Sequence, residues 1–211
     1  LRPMRTAKTS MTATISQHLY PHATILAESF ADTRLPEAYF DAAIGNVPFS
    51  KVVLHDPVHN ATRQSMHNPF ILKSLRLTRP GGLVAVLSSR YTLDAQNPGA
   101  RREMNALADL VGAIRLPAGA HRRAAGSEVV TDLLILRVRE PGTEPRDTAW
   151  EDTVEVELPG PNGPETARIN RHFVEHPERV LGEMRVAIGM YGVAGLEVTG
   201  GRDATEQLRE L

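Results

Sequence analysis

The sequence predicts an α/β fold with a largely parallel sheet, and three observations lead there. Short apolar runs at 39–44, 83–87, 111–116 and 129–138 have the length of buried strands rather than of helices. Helical spacing appears between them, at 69–78 and 96–110. Breakers punctuate the alternation, Arg79-Pro80-Gly81-Gly82 above all. Strands that alternate with helices build parallel units, because the helix carries the chain back to start the next strand in the same direction.

Taken in order, residues 1–10 are polar and basic without periodicity and read as a disordered leader. Residues 11–19 predict a short helix that Pro21 closes. Ala23-Thr24-Ile25-Leu26-Ala27 reads as a strand, and a polar connection follows it. Tyr39-Phe40-Asp41-Ala42-Ala43-Ile44 has the near-continuous apolar character of a strand buried on both faces, and it stops at Gly45-Asn46-Val47-Pro48-Phe49. Residues 50–66, with His55, Asp56-Pro57 and His59, read as a surface loop. Phe70, Ile71, Leu75 and Leu77 mark the apolar face of the next helix. After residue 140 the character changes. Residues 141–145 read as a linker, Thr153-Val154-Glu155-Val156-Glu157-Leu158 as a half-exposed strand, and 158–164 as a second breaker-rich stretch. The predicted division is a leader (1–10), a catalytic domain (11–140), and a linker with a C-terminal extension of little independent stability (141–211).

The composition, 41% hydrophobic and 23% charged over 211 residues, is that of an ordinary globular domain. No run approaches the roughly 20 apolar residues of a membrane span, so no membrane partner is expected. The absence of cysteine excludes disulfides and thiolate metal sites and fits a reducing, cytoplasmic setting. With a net charge of -1, any nucleic-acid contact must come from a local cluster, and there are two: Arg101-Arg102 and His121-Arg122-Arg123. The histidines match no hydrolytic zinc spacing, and Ser88 and Ser89 lack a Gly-x-Ser-x-Gly elbow.

The segment that carries chemistry is Asn46-Val47-Pro48-Phe49, at the carboxyl end of a predicted strand, where doubly wound sheets place ligands. An exocyclic amine on adenine is a poor nucleophile because its lone pair is delocalised into the ring. An amide oxygen at Asn46 and the main-chain carbonyl of Val47 can each accept one amine hydrogen and favour a more tetrahedral nitrogen. Phe49 can stack on a base extruded from the duplex.

This segment resembles the Asn-Pro-Pro-Phe/Tyr motif of S-adenosylmethionine-dependent DNA adenine methyltransferases, with Val47 where proline is usual. His67-Asn68-Pro69-Phe70-Ile71-Leu72-Lys73-Ser74-Leu75, Arg79-Pro80-Gly81-Gly82, Ser88-Ser89-Arg90-Tyr91-Thr92 and Ala125-Gly126-Ser127-Glu128-Val129-Val130-Thr131-Asp132-Leu133-Leu134 strengthen the likeness and occur in the family's order. It is closest to the methylase regions of large bacterial and phage proteins that join a methylase to a helicase. The resemblance implies a class I, Rossmann-like, doubly wound sheet that is incomplete at the N-terminus, since no glycine precedes Gly45 and the family's glycine-rich cofactor turn is missing. It implies S-adenosylmethionine as cofactor, with Glu28, Ser29 and Phe30 (Asp32 a further candidate) at its adenine end, and DNA with a flipped adenine as partner. A missing N-terminal segment or a fused helicase would be a further partner. For Phe30 and Glu28 the alternative is a core ring and a solvated strand end. For His121, Arg122 and Arg123 the choice is phosphate binding or a solvated loop. No metal is assigned. The rival functions are an inactive remnant that binds DNA or a partner, and methylation of RNA or of a protein amide.

Overall fold

A computed structural model of the chain describes residues 3–7, 9–48, 67–120, 129–188, 194–200 and 204–210. In chain order these form β1 (Met4–Thr6), α1 (Ser10–Leu19), β2 (Thr24–Leu26), β3 (Phe40–Asn46), α2 (His67–Leu77), β4 (Thr78–Ser89), a single turn α3 (Tyr91–Asp94), α4 (Gly99–Leu107), β5 (Ala108–Leu116) and β6 (Thr131–Val138). There follow β7 (Thr153–Gly160), β8 (Gly163–Asn170), α5 (Arg171–Glu175), β9 (Glu183–Ile188), β10 (Ala194–Thr199) and α6 (Ala204–Glu210), with 3-10 turns at Ala149–Glu151 and Pro177–Arg179.

The main sheet has the order β3-β4-β6-β5. β3 runs parallel to β4, while β6 is antiparallel to both β4 and β5. The expected largely parallel sheet is therefore corrected to a mixed one. An apolar run reads the same in either direction, so the periodicity alone does not fix the orientation of β6. The expected helix over 96–110 is shorter as well. Asn97 Oδ1 accepts the Gly99 N–H at 2.8 Å and starts α4 there, while 108–110 join β5.

β1 and β2 form a separate parallel pair, Met4 opposite Thr24 and Thr6 opposite Leu26. Residues 4–6 are thus strand rather than disordered leader. A strand of three residues is too short for a period to show. Thr9 caps α1 by accepting the Thr12 N–H on its side chain, as an N-cap threonine should.

The Arg79-Pro80-Gly81-Gly82 stretch is a bulge. Phe40 pairs with Thr78 but Ala42 pairs with Leu83, so these four residues face Asp41 alone. Arg79 Nε donates to Asp41 Oδ1 at 2.7 Å. Gly81 takes φ 78°, and a Cβ on Gly82 would lie 2.7 Å from the Asp41 carbonyl oxygen, so both positions need glycine.

Ile71, Leu72 and Leu75 of α2 pack with Val84 and Val86 of β4 and with Leu134 and Leu136 of β6. Each such side chain contributes about 1.5–3 kcal/mol by leaving water. The same cluster takes in Trp150, Leu158, Ile169, Phe173 and Val186, so the stretch expected to be a weakly stable extension shares the core. The proline-rich segment after Leu158 is the tip of the β7–β8 hairpin, with Pro159 opposite Pro164. Its breakers mark a turn between strands, not a gap in structure. The β9–β10 hairpin reaches the carboxyl end of β5, where Leu181 N donates to Arg115 O and Ala118 N to Val198 O, each at 2.9 Å.

β3 departs most from expectation. Its apolar run predicts burial on both faces, yet Ile44 is 86% exposed, and among the described residues β3 pairs only with β4. No described helix is long and apolar enough to cross a membrane.

Candidate active site

The carboxyl ends of β3 and β4 lie side by side, with Asn46 opposite Leu87. Asn46 is exposed there. Val47 turns inward into the core, and its N–H donates to Leu87 O at 3.0 Å. A proline in that position has no N–H to give. Valine thus gives up turn stiffness and gains one more rung of the β3–β4 ladder, while keeping its main-chain carbonyl just past the last paired residue. Pro48 is exposed. Phe49, expected to stack on the base, and His121, Arg122 and Arg123, expected to meet phosphate, lie outside the described residues, as do His55 and His59.

The proposed cofactor segment follows β2. Glu28 is exposed, while Ser29 and Phe30 are half-buried. Phe30 packs on Phe70 of α2 with ring centroids 5.2 Å apart. Lys73 of α2, itself 3% exposed, donates to the carbonyl oxygens of Ala31 at 2.9 Å and Thr33 at 2.7 Å, and its ammonium lies 5.2 Å from the Phe30 ring centroid. The lysine therefore pins the candidate segment to the helix that follows β3. Sequence reading gave Lys73 no role, although a cation among Ile71, Leu72 and Leu75 on a buried face is a visible signal that it has partners.

The first of the two basic clusters is split, Arg101 being buried and Arg102 exposed. Arg101 is 1% exposed, donating from Nε to Glu151 O at 2.7 Å, and Arg102 pairs with Glu151 at 3.5 Å. Arg101 holds the 3-10 turn at Ala149–Glu151 against α4. Ser88 is buried and shares a 2.6 Å hydrogen bond with Thr92, so it is no exposed nucleophile. Among the described residues no group of three or more metal-ligating side chains occurs.

Behind the rim lies a buried charge network. Arg115 of β5 donates to both carboxylate oxygens of Asp132 of β6, at 2.8 and 2.9 Å, and its Nη2 is 3.0 Å from Asp94 of α3. These three side chains are 0–1% exposed. The Arg115 guanidinium also lies 4.1 Å from the centroid of the Phe173 ring. Burial works against its charge, but the Asp132 and Asp94 carboxylates outweigh that and hold it protonated more firmly than a free arginine. Burial pushes the Asp132 carboxyl up, opposed by Arg115 and aided by Asp94.

His172 of α5 seals the outer edge of β5. Its Nε2 lies 3.2 Å from both the N and the O of Ala113, and an unprotonated Nε2 accepts the N–H. Burial lowers the His172 pKa from its ordinary 6.5, and His176 and Arg179 add to that, while the contact with Ala113 opposes it. Burial also lowers that of His67. The unfolded chain then binds protons that the fold refuses, so this stabilisation is whole above about pH 6.5 and is lost as pH falls from there toward the lowered folded values. Urea melts at pH 7.5 and 5.5 should show the loss, with His172→Gln losing less; an equal loss in the variant would remove His172 from the cause.

No family model matches the chain, and no curated protein does. Solved structures do. A structure described as a modification subunit of a type I restriction enzyme from Vibrio vulnificus aligns over 97% of this chain and 49% of its own, at 14% identity and a TM-score of 0.56. One described as a class I S-adenosylmethionine-dependent methyltransferase from Listeria monocytogenes aligns over 70% of this chain and 47% of its own, at 17% identity and a TM-score of 0.55. A structure concerned with assembly of the type I R-M system aligns over 65% of this chain and 31% of its own, at 16% identity and a TM-score of 0.55. The chain spans half or less of the length of each of these structures. At such identities the likeness establishes architecture: the chain has the α/β fold of class I methyltransferases.

Proposed function

We propose that the chain forms the base-binding side of an S-adenosylmethionine-dependent methyltransferase that acts on the exocyclic N6 amine of adenine in DNA. The observation that carries this reading is the placement of Asn46 and the Val47 carbonyl at the adjoining carboxyl ends of β3 and β4, in a class I methyltransferase fold. The alignment of nearly the whole chain with a type I modification subunit supports DNA as the substrate.

Asn46 accepts one hydrogen of the amine through its side-chain oxygen, and the Val47 carbonyl accepts the other. Together they aim the nitrogen lone pair away from the sheet edge and raise its nucleophilicity. Phe49 stacks on the base. The cofactor, when bound, supplies an electrophilic methyl group. The residues present fit its adenine end: Phe30 offers a half-buried ring, Glu28 an exposed acceptor, and Lys73 fixes the segment that carries them. No glycine precedes Gly45, so no residue of this chain is assigned to the cofactor's methionine end.

Titration calorimetry with S-adenosylmethionine is the first test, followed by transfer of labelled methyl to DNA. Asn46→Ala is expected to lower transfer about 100-fold, the scale of losing one preorganised polar group at a reacting atom, with cofactor affinity unchanged. Unchanged transfer in that variant would refute the role of Asn46. The second reading is a catalytically inactive remnant that binds DNA. A folded protein that ignores millimolar cofactor yet binds DNA would decide for it.

A further inference from the structure

We propose that Arg90 and Tyr91 form a preorganised platform that stacks on an unpaired nucleobase next to the target base; this rests on the nucleic-acid reading above. The chain leaves β4 at Ser89, two residues beyond Leu87, the partner of Asn46, so the turn that follows stands on the same rim as the candidate base site. Tyr91 opens that turn and is 53% exposed.

An exposed tyrosine would ordinarily sample several rotamers. This one is held. The Arg90 guanidinium lies 4.3 Å from the centroid of its ring, and Arg90 Nη2 donates to the Tyr91 hydroxyl at 3.1 Å. The Tyr91 N–H donates to Ser89 Oγ at 3.4 Å. Arg90 is anchored in turn, with Nη1 3.5 Å from Asp94 Oδ2. Asp94 is the carboxylate that also meets the buried Arg115, so the platform is tied to a buried charge network.

The chemistry selects a nucleotide. An aromatic face offers stacking that tolerates any base, and a guanidinium beside it suits the phosphate attached to that base. Ordering the ring before binding removes part of the entropy cost of holding it. Nothing in the core requires the ring, since Leu93, Thr92 and Asp94 are the buried members of the turn.

The test uses a short single-stranded oligonucleotide containing 2-aminopurine, titrated with the full chain and with Tyr91→Ala and Tyr91→Phe. Thermal melts first establish that both variants fold like the parent. The expected result is quenching of 2-aminopurine by the parent chain and about 10-fold weaker binding with loss of quenching in Tyr91→Ala. Tyr91→Phe should retain quenching with binding intermediate between the two, since the ring stays and the Arg90 hydrogen bond goes. Binding and quenching by Tyr91→Ala equal to those of the parent would overturn the platform and leave the nucleic-acid reading standing. A parent chain that binds no oligonucleotide would overturn that reading, and the platform with it.

Discussion

Replacing Arg115 with methionine is expected to cost about 3–5 kcal/mol of stability, because it strips a buried cation from two buried carboxylates. Asp132 and Asp94 are 0% and 1% exposed, and both contact the same guanidinium. With Arg115 gone they face each other with Arg90 as the remaining cation, at 3.5 Å from Asp94. For a chain of this length the melting temperature should fall by on the order of 10 °C. The variant should also acquire a pH dependence of defined sign. Burial already pushes the Asp132 carboxyl up, and without Arg115 nothing on β5 opposes it. The fold would then bind a proton there that the unfolded chain does not, and stability would rise as pH falls. Urea titrations at pH 8 and pH 5.5 would show the deficit shrinking at the lower pH. A deficit under about 1 kcal/mol at both values would mean that the carboxylates find other partners and that the network is not a keystone.

Asn170→Ala should cost about 3 kcal/mol through a different route. Asn170 is wholly buried, and its amide donates to Leu93 O at 2.9 Å and Trp150 O at 2.8 Å. Its side-chain oxygen accepts the His172 N–H at 3.0 Å and so caps α5. Alanine removes the cap, worth about 1 kcal/mol, and leaves two buried carbonyls without these donors, at about 1 kcal/mol or more each. Because Asn170 links α3, the 3-10 turn before β7 and α5, the loss should be global. Equilibrium melts followed by circular dichroism and by tryptophan fluorescence at Trp150 should shift together. Separate transitions would show that residues after 140 melt on their own.

Apolar runs announced the strands because burial selects for them whatever their neighbours, and the positions of β3, β4, β5 and β6 were legible for that reason. The direction of β6 was not, since an apolar run reads the same whether its partner is parallel or antiparallel. Arg101 and Arg115 show a second limit. A buried arginine is written with the same letter as a solvated one, and only the approach of Glu151 and Asp132 distinguishes them. The hairpin at Pro159 and Pro164 shows a third: breakers mark the turn but say nothing about the pairing on either side. The position of Asn46 at the end of β3 was legible because the apolar run before it stops there. Lys73 was overlooked because its partners are carbonyls about 40 residues away.

The main sheet ends differently on its two sides, and this gives it a growing end. β5 is closed off by the Arg115–Val180 bridge and by His172 against Ala113. β3 pairs only with β4 among the described residues. A strand that joins the sheet there in the same direction as β3 must bring its own carboxyl end to Asn46. Whatever loop follows such a strand is carried by backbone hydrogen bonding to the edge where the candidate base site stands.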